Sequence, residues 1–223
     1  MKEYGFKQAM ANYSLFYKRE GDDITLLIVY IDDMIIIGSN STKIEKLQTY
    51  LEKEFEMKDL GAQKYFLGIE VSWSKQGLFL SQRKYTLDLL VETGKSACEP
   101  VNIPIKINHN LFIYHDQIPT NKENYQRLVR KLIYLTHTRL DLSNAVSVAS
   151  QFMHNPSDRH MNVVNRILAY LKSSPSKGIM FSKHVHLDIE GYIDSNFVGS
   201  RLDRKSTLGY VYICRKKFGD LEE

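Results

Sequence analysis

The sequence holds few of the residues that staple or anchor a chain. Its 223 residues include two cysteines, Cys98 and Cys214, which form no metal-spaced pair. A disulfide scaffold is excluded, and free thiols suit a cytosolic or nuclear, intracellular setting. The seven histidines are scattered, and none stands at zinc-finger spacing from a cysteine. No apolar run reaches the roughly 18 residues that a membrane span needs, so no membrane partner is expected. The opening MKEYGFKQAMANY has no apolar core of the kind a secretory leader carries. Internal repeats and low-complexity tracts are also missing.

What remains is the composition of an ordinary soluble globular chain, 43% hydrophobic and 25% charged. It is long enough for one large domain or two small ones with real cores. The net charge of +4 is unevenly spread. Residues 1–95 hold 13 Lys+Arg against 14 Asp+Glu, and residues 96–223 hold 17 against 12. A basic second half is compatible with a polyanionic partner or with a solvated surface slightly rich in lysine. Nothing in the sequence indicates an oligomeric state.

Two apolar runs predict strands at about Ile24–Tyr30 and Met34–Ile37, without clean alternation, as in strands covered on both faces. A helix follows, with Thr42 and Glu45 as a capping box and Ile44, Leu47, Leu51 and Phe55 as its apolar stripe. KYFLGIEVSW and GLFLS predict a hairpin turning around Lys75-Gln76-Gly77. A second helix, about Gln82 to Thr93, stops at Gly94. Residues 95–121 contain Pro100, Pro104 and Pro119 without a steady period and read as a linker.

Three helical stretches come next. The first carries Tyr125, Leu128, Val129, Leu132 and Leu135 on one side. The second has Asp141 as its cap, with Ala145, Ala149 and Phe152 inward. Asn155-Pro156-Ser157 breaks the chain before the third, which turns Val163, Val164, Ile167, Leu168 and Leu171 inward. GIMFS, HLDIEGYIDSNF and STLGYVYIC close the chain as strands. The fold class is therefore α+β.

Between the first two strands stand Asp32 and Asp33. Adjacent carboxylates repel, and they lose solvation if buried. A surface turn tolerates such a pair, because Asp favours turns. A divalent cation turns the cost into a purpose, since carboxylate oxygens suit Mg²⁺ and a nucleotide's phosphates complete its shell. Two such ions about 4 Å apart can activate a 3′-hydroxyl and stabilise a leaving pyrophosphate. The flanking runs are too apolar for an ordinary surface turn.

Tyr30-Ile31-Asp32-Asp33 resembles the Y-x-D-D motif of reverse transcriptases, in the LLIVYIDDMIIIGS form of copia-type retrotransposon Pol polyproteins. EYGFKQA resembles the family's L-Y-G-L-K-Q segment, and KYFLGIEV its primer-grip region. LSQRKYTLDLLVETG, YQRLVRKLIYLTHTR and the stretch from Asn155 to Leu171 resemble further family segments in order. GYIDSNFVGSRLDRKSTLGY is similar to the start of the ribonuclease H domain. The resemblance implies a partial polymerase palm and primer-grip region over 1–94, a linker over 95–121, a helical thumb or connection segment over 122–175, and an incomplete ribonuclease H-like domain over 176–223.

By the same resemblance, Asp32 and Asp33 are the catalytic, metal-binding carboxylates, with Mg²⁺ or alternatively Mn²⁺ as cofactor. Tyr30 lies near the primer terminus, Lys7 and Gln8 near the incoming deoxynucleotide, and Phe66, Leu67 and Gly68 hold the primer strand. Asp194 matches the first metal-binding aspartate of ribonuclease H. The partners implied are an RNA or DNA template-primer and deoxynucleotides. The bland alternatives are a frayed terminus for Lys7 and Gln8 and simple core for Phe66 and Leu67.

The resemblance also implies gaps. The family's third polymerase carboxylate lies upstream of the segment with which this chain begins, so it is expected to be absent, as are the fingers. Asp22 and Asp23 are no substitute, because seven or more strand residues put them roughly 23 Å or more from Asp32. Ala9 and Tyr13 nearly fuse two segments that the family separates with a helix, so the apolar face of the hairpin is expected to lack a partner. Downstream carboxylates of ribonuclease H lie beyond Glu223, Asn196 and Phe197 replace a family Asp and Trp, and Leu140 replaces a proline. The expectation is a Pol fragment that is catalytically incomplete by itself. The alternatives are a non-catalytic nucleic-acid-binding remnant, using Arg127, Arg130, Lys131, Arg159 and Arg166, and a relic without a biochemical role.

Overall fold

The computed structural model describes residues 1, 4–55, 57–61, 64–106, 111 and 117–182, and the backbone alone of 189–196 and 207–214. Most of the ribonuclease H-like motif after Asn196 and parts of the 95–121 stretch lie outside the described residues. The chain divides into two units, Met1–Leu67 and Gly68–Glu223.

The first unit begins with β1 (Lys7–Gln8), β2 (Leu15–Glu20), β3 (Asp23–Tyr30) and β4 (Asp33–Gly38). They form an antiparallel sheet in chain order. Helix α1 (Ser41–Glu54) and the short strand β5 (Tyr65–Phe66) complete the unit. The register pairs Phe16 with Leu27 and Leu27 with Ile36, so these three share one face. That face is the core: Leu27, Leu47, Leu51 and Phe6 are buried, with Val29, Met34 and Ile36 packed against them. The hairpin's apolar face thus has a partner, contrary to the expectation from the short Ala9–Tyr13 join. Helix α1 and Phe6 supply the cover.

The opposite face pairs Tyr17 with Leu26 and Leu26 with Ile37. Tyr17, Ile24 and Ile37 are exposed there. Cover on both faces, expected from the unbroken Ile/Leu/Val runs, is therefore not what these strands have. The helix start also differs. Ser41 already lies inside α1, so Asn40 is the cap, accepting the Lys43 N–H at 3.3 Å, and the expected Thr42–Glu45 box does not form. Phe55 ends the helix in extended conformation with its ring exposed, one turn past the last buried leucine.

In the second unit, β6 (Ile69–Trp73) and β7 (Gly77–Ser81) form the expected hairpin. Helix α2 (Arg83–Glu92) ends in a left-handed Gly94, with Gly94 N–H donating to Val91 and Lys95 N–H to Leu90. Helices α3 (Lys122–Leu135), α4 (Ser143–Ser150) and α5 (Asp158–Ser173) follow, with a 3₁₀ turn at Leu140–Leu142. Strand β8 (Gly178–Ser182) adds to the hairpin beside β7, while β9 (Ile189–Asn196) and β10 (Thr207–Cys214) pair only with each other among the described residues.

The helical core is the one the sequence periodicity predicts. Tyr125, Leu128, Val129, Leu132 and Leu135 of α3 meet Ala145 and Ala149 of α4 and Val164, Ile167, Leu168 and Leu171 of α5, all buried. Each large apolar side chain contributes about 2 kcal/mol on burial. The Tyr125 hydroxyl donates to the Ala149 carbonyl at 2.7 Å, so this buried phenol is satisfied.

Asp141 does not cap α4, whose first residue follows Leu142. It instead neutralises Arg139, which is 1% exposed. Arg139 Nε and Nη2 both donate to the Asp141 carboxylate at 2.9 Å, and Nη1 donates to the Ser174 carbonyl at 2.8 Å. The Tyr170 hydroxyl donates to the same carboxylate at 2.7 Å. This network ties the end of α3 to the end of α5. Among the described residues the chain is α+β, with five helices, and no helix is long and apolar enough to cross a membrane.

Candidate functional site

The register Tyr30↔Asp33 leaves Ile31 and Asp32 as a two-residue loop between β3 and β4. Such a tight link forces unusual backbone, and Ile31 takes φ +50°. A β-branched residue is disfavoured there by the contact of Cβ with its own carbonyl, a cost of about 1–2 kcal/mol. No burial offsets it, for Ile31 is 81% exposed. The loop presents Asp32 and Asp33 side by side, both exposed, with Tyr30 beside Asp33 and 46% exposed.

Leu67 is the other non-glycine residue with positive φ among the described residues, at +51°. Gly68 follows at +81°, so Phe66-Leu67-Gly68-Ile69 has positive φ at both central positions of a two-residue turn. A Cβ on Gly68 would stand 3.3 Å from the Tyr134 hydroxyl, a second reason for glycine there. Phe66 is half-buried and Leu67 37% exposed. Both strained turns thus fall in segments that the sequence singled out.

Lys7 and Gln8 form β1, paired with Tyr17 and Phe16. Both are exposed, and Gln8 Nε2 donates to the Tyr13 carbonyl at 2.8 Å. Asp194 stands in β9 opposite Gly209, and its side chain lies outside the described residues.

Asp23 is committed elsewhere. It accepts from Ser39 Oγ at 3.2 Å and Asn40 Nδ2 at 3.1 Å, and pairs with Lys43 at 3.0 Å. Lys43 also pairs with Glu20 at 2.8 Å. Hydrogen bonds from Lys18 and then Lys43 hold the Glu20 carboxyl down at about 2, and Lys43 likewise lowers Asp23. This cluster lines a hollow of about 220 Å³ at the far end of the hairpin from Asp32. Sequence reasoning missed it, because Lys43 reaches Glu20 and Asp23 only once α1 is docked.

Two exposed carboxylates at a tight hairpin tip are donors of the right chemistry for a hard divalent cation. Among the described residues, no group of three or more His, Cys, Asp or Glu is placed to hold a metal. Asp32 and Asp33 therefore fit part of an ion's shell, with phosphate and water oxygens as the natural remainder.

The fold and the site define an α+β chain whose tight antiparallel hairpin ends in two adjacent, exposed carboxylates. The family model described as "Reverse transcriptase (RNA-dependent DNA polymerase)" matches residues 1–107. The chain is 38% identical to the retrovirus-related Pol polyprotein from transposon RE1 of Arabidopsis thaliana, over 93% of this chain and 14% of that protein. It is 30% identical to the retrovirus-related Pol polyprotein from transposon TNT 1-94 of Nicotiana tabacum, over 95% of this chain and 17% of that one. An uncharacterized mitochondrial protein of Arabidopsis thaliana is 35% identical over 82% of this chain and 76% of its own length. No solved structure matches. The chain belongs to the reverse transcriptase family of the transposon Pol polyproteins. It spans about a seventh of the length of the Pol polyproteins that it matches.

Proposed function

We propose that this chain is the stretch of a copia-type Pol polyprotein that runs from the reverse-transcriptase palm into ribonuclease H, with Asp32 and Asp33 as carboxylates for Mg²⁺ or Mn²⁺. The observation that carries this reading is the placement of backbone strain. Among the described residues, the two non-glycine positive-φ residues, Ile31 and Leu67, sit at the tips of the two turns that the Y-x-D-D and primer-grip resemblances name. Strain of this kind concentrates where function over-determines a backbone.

In this reading Asp32 and Asp33 would hold the ion, whose charge would favour attack of a primer 3′-hydroxyl on a deoxynucleotide α-phosphate as the α–β phosphoanhydride bond breaks and pyrophosphate leaves. Asp32 is the more direct ligand and Asp33 the second. Tyr30 packs beside the primer end, and Lys7 and Gln8 face the incoming nucleotide. Phe66, Leu67 and Gly68 grip the primer strand, residues 122–175 form the helical thumb or connection, and Asp194 is the first ribonuclease H carboxylate. By itself the chain binds primer–template and metal without extending the primer, since two carboxylates at the tip are fewer than a two-ion site uses.

Mn²⁺ binding in the presence of primer–template and deoxynucleotide tests the assignment, read by the loss of free-ion EPR signal. Binding is expected for the parent chain and not for Asp32→Ala/Asp33→Ala. Equal binding by both would overturn it. Primer extension on a primed RNA template, run alongside, is expected to be absent. Extension that disappears in the double variant would show that another group or a second copy completes the site.

A further inference from the structure

We propose that the hollow between α1 and the far end of the first sheet is a nucleotide site separate from the hairpin tip. It takes a single-ring base that carries an exocyclic amine, with the phosphate held at its mouth by Lys46. This site goes beyond the metal reading of Asp32 and Asp33 and does not rest on it. The hollow holds about 220 Å³, below the roughly 300–1,000 Å³ of pockets that enclose drug-sized ligands, so it admits a ring-sized group. Four segments of the first unit meet around it: the residues before β1, strands β2 and β3, and α1. Phe6 and Leu47, both buried, give it an apolar floor. Tyr4 is a wall held in place, its ring centroid 4.6 Å from that of Tyr50 and 4.8 Å from the Lys18 ammonium.

Two lining groups have no partner among the described residues. Thr25 is 6% exposed, and its hydroxyl makes no hydrogen bond there. A buried hydroxyl is costly to leave unpaired, and native proteins seldom do so without a use. Lys46 is exposed and has no ion partner, whereas Lys18 and Lys43 are both paired. An acceptor is present too. Glu20 takes Lys18 on Oε1 and Lys43 on Oε2, each at 2.8 Å, and a carboxylate oxygen accepts two hydrogen bonds, so each keeps a lone pair. Hydrogen bonds from Lys18 and then Lys43 hold this carboxyl down at about 2, so it stays an ionised acceptor at neutral pH. A ring amine donating to Glu20, a ring acceptor for the Thr25 O–H and a phosphate on Lys46 satisfy the three groups together. Of the single-ring bases, cytosine carries that amine. Uracil and thymine put an oxygen in its place, which a carboxylate repels.

Isothermal titration calorimetry of the full chain with cytidine 5′-monophosphate, in EDTA and low salt, tests this site without the divalent ion that the hairpin tip would need. Saturable binding is expected, with uridine 5′-monophosphate about tenfold weaker, since it lacks the donor to an ionised carboxylate. Lys46→Gln is expected to weaken cytidine 5′-monophosphate about fivefold at low salt. Thr25→Val keeps the shape and removes the hydroxyl, so it should weaken binding about fivefold while leaving the urea midpoint no lower than the parent's. A lowered midpoint would mark the hydroxyl as structural and overturn its assignment. No heat on titration, equal affinity for the two nucleotides, or parent-like binding by either variant would also overturn the site, as would inorganic phosphate binding as tightly as the nucleotide. Each of those outcomes leaves the Mn²⁺ test of Asp32 and Asp33 standing, because that test reads the bound ion.

Discussion

Replacing Asp141 by Asn keeps shape and most hydrogen-bonding capacity but leaves the Arg139 guanidinium, 1% exposed, without its counter-charge. Burial pushes the Asp141 carboxyl up, but hydrogen bonds from Arg139 and Tyr170, with the charges of Arg139 and Lys177, outweigh it and bring the group from 3.8 down to about 2. A shift near two units corresponds to about 2.5 kcal/mol of stability at neutral pH. Breaking a buried pair from one side costs about 3–5 kcal/mol. Asp141 keeps 31% of its side chain in water, so about 2.5 kcal/mol is the better figure.

Helix loss during urea and thermal unfolding, followed by circular dichroism, measures this cost. In a unit of this size it lowers the melting temperature by about 5–10 °C. The sign with pH follows from a depressed carboxyl. Its stabilisation is full above about pH 3.8 and is lost as pH falls through the folded value near 2. The gap between parent and Asp141→Asn should therefore close over that window. A variant within about 0.5 kcal/mol of the parent at pH 7, or a gap unchanged by acid, would refute the assignment of Asp141 as the counter-charge that makes a buried Arg139 tolerable.

Ile31→Gly should stabilise the first unit by up to about 1 kcal/mol, since it relieves positive φ at an exposed position; an unchanged or lower urea midpoint would contradict the strain. Gly68→Ala should cost about 1–2 kcal/mol, from φ +81° and the crowding of Tyr134, and equal midpoints would show the turn relaxing freely. His160 is buried with Nδ1 accepting from Ser157 N–H at 2.9 Å and Nε2 facing the Leu111 carbonyl at 3.1 Å. Burial lowers its pKa against the opposing Leu111 hydrogen bond, so stability should be full above about pH 6.5 and decline as pH falls below it. His160→Gln should flatten that decline, and an unaltered pH profile of the urea midpoint would rule it out.

Some of this protein was legible without a fold. Helix α3 announces its buried face at Tyr125, Leu128, Val129, Leu132 and Leu135, because helical periodicity writes the core directly into residue spacing. Gly94 marks the end of α2 for an equally local reason, the left-handed conformation that only glycine adopts freely. The Y-I-D-D tip was legible for the same reason: four consecutive residues and their flanking runs carry it. Cap positions were less so. Asn40 rather than Thr42 begins α1, a shift of two residues that alters no periodicity.

What the sequence by itself determined is therefore much of what is set within a turn or two of chain: the helices, the inner face of α3, the hairpins, and the adjacent carboxylates between β3 and β4. Only the tertiary structure decided the rest. It showed that α1 and Phe6 cover one face of the first sheet and leave the other open. Asp141, too, serves Arg139 and Tyr170 rather than a helix end, and β8 joins β7 to bring Phe181 beside the row of Trp73. Apart from Arg139 and Asp141, which are two positions apart, those pairings join residues tens to a hundred positions apart. They depend on which surfaces meet once local elements exist, and no spacing along the chain encodes that.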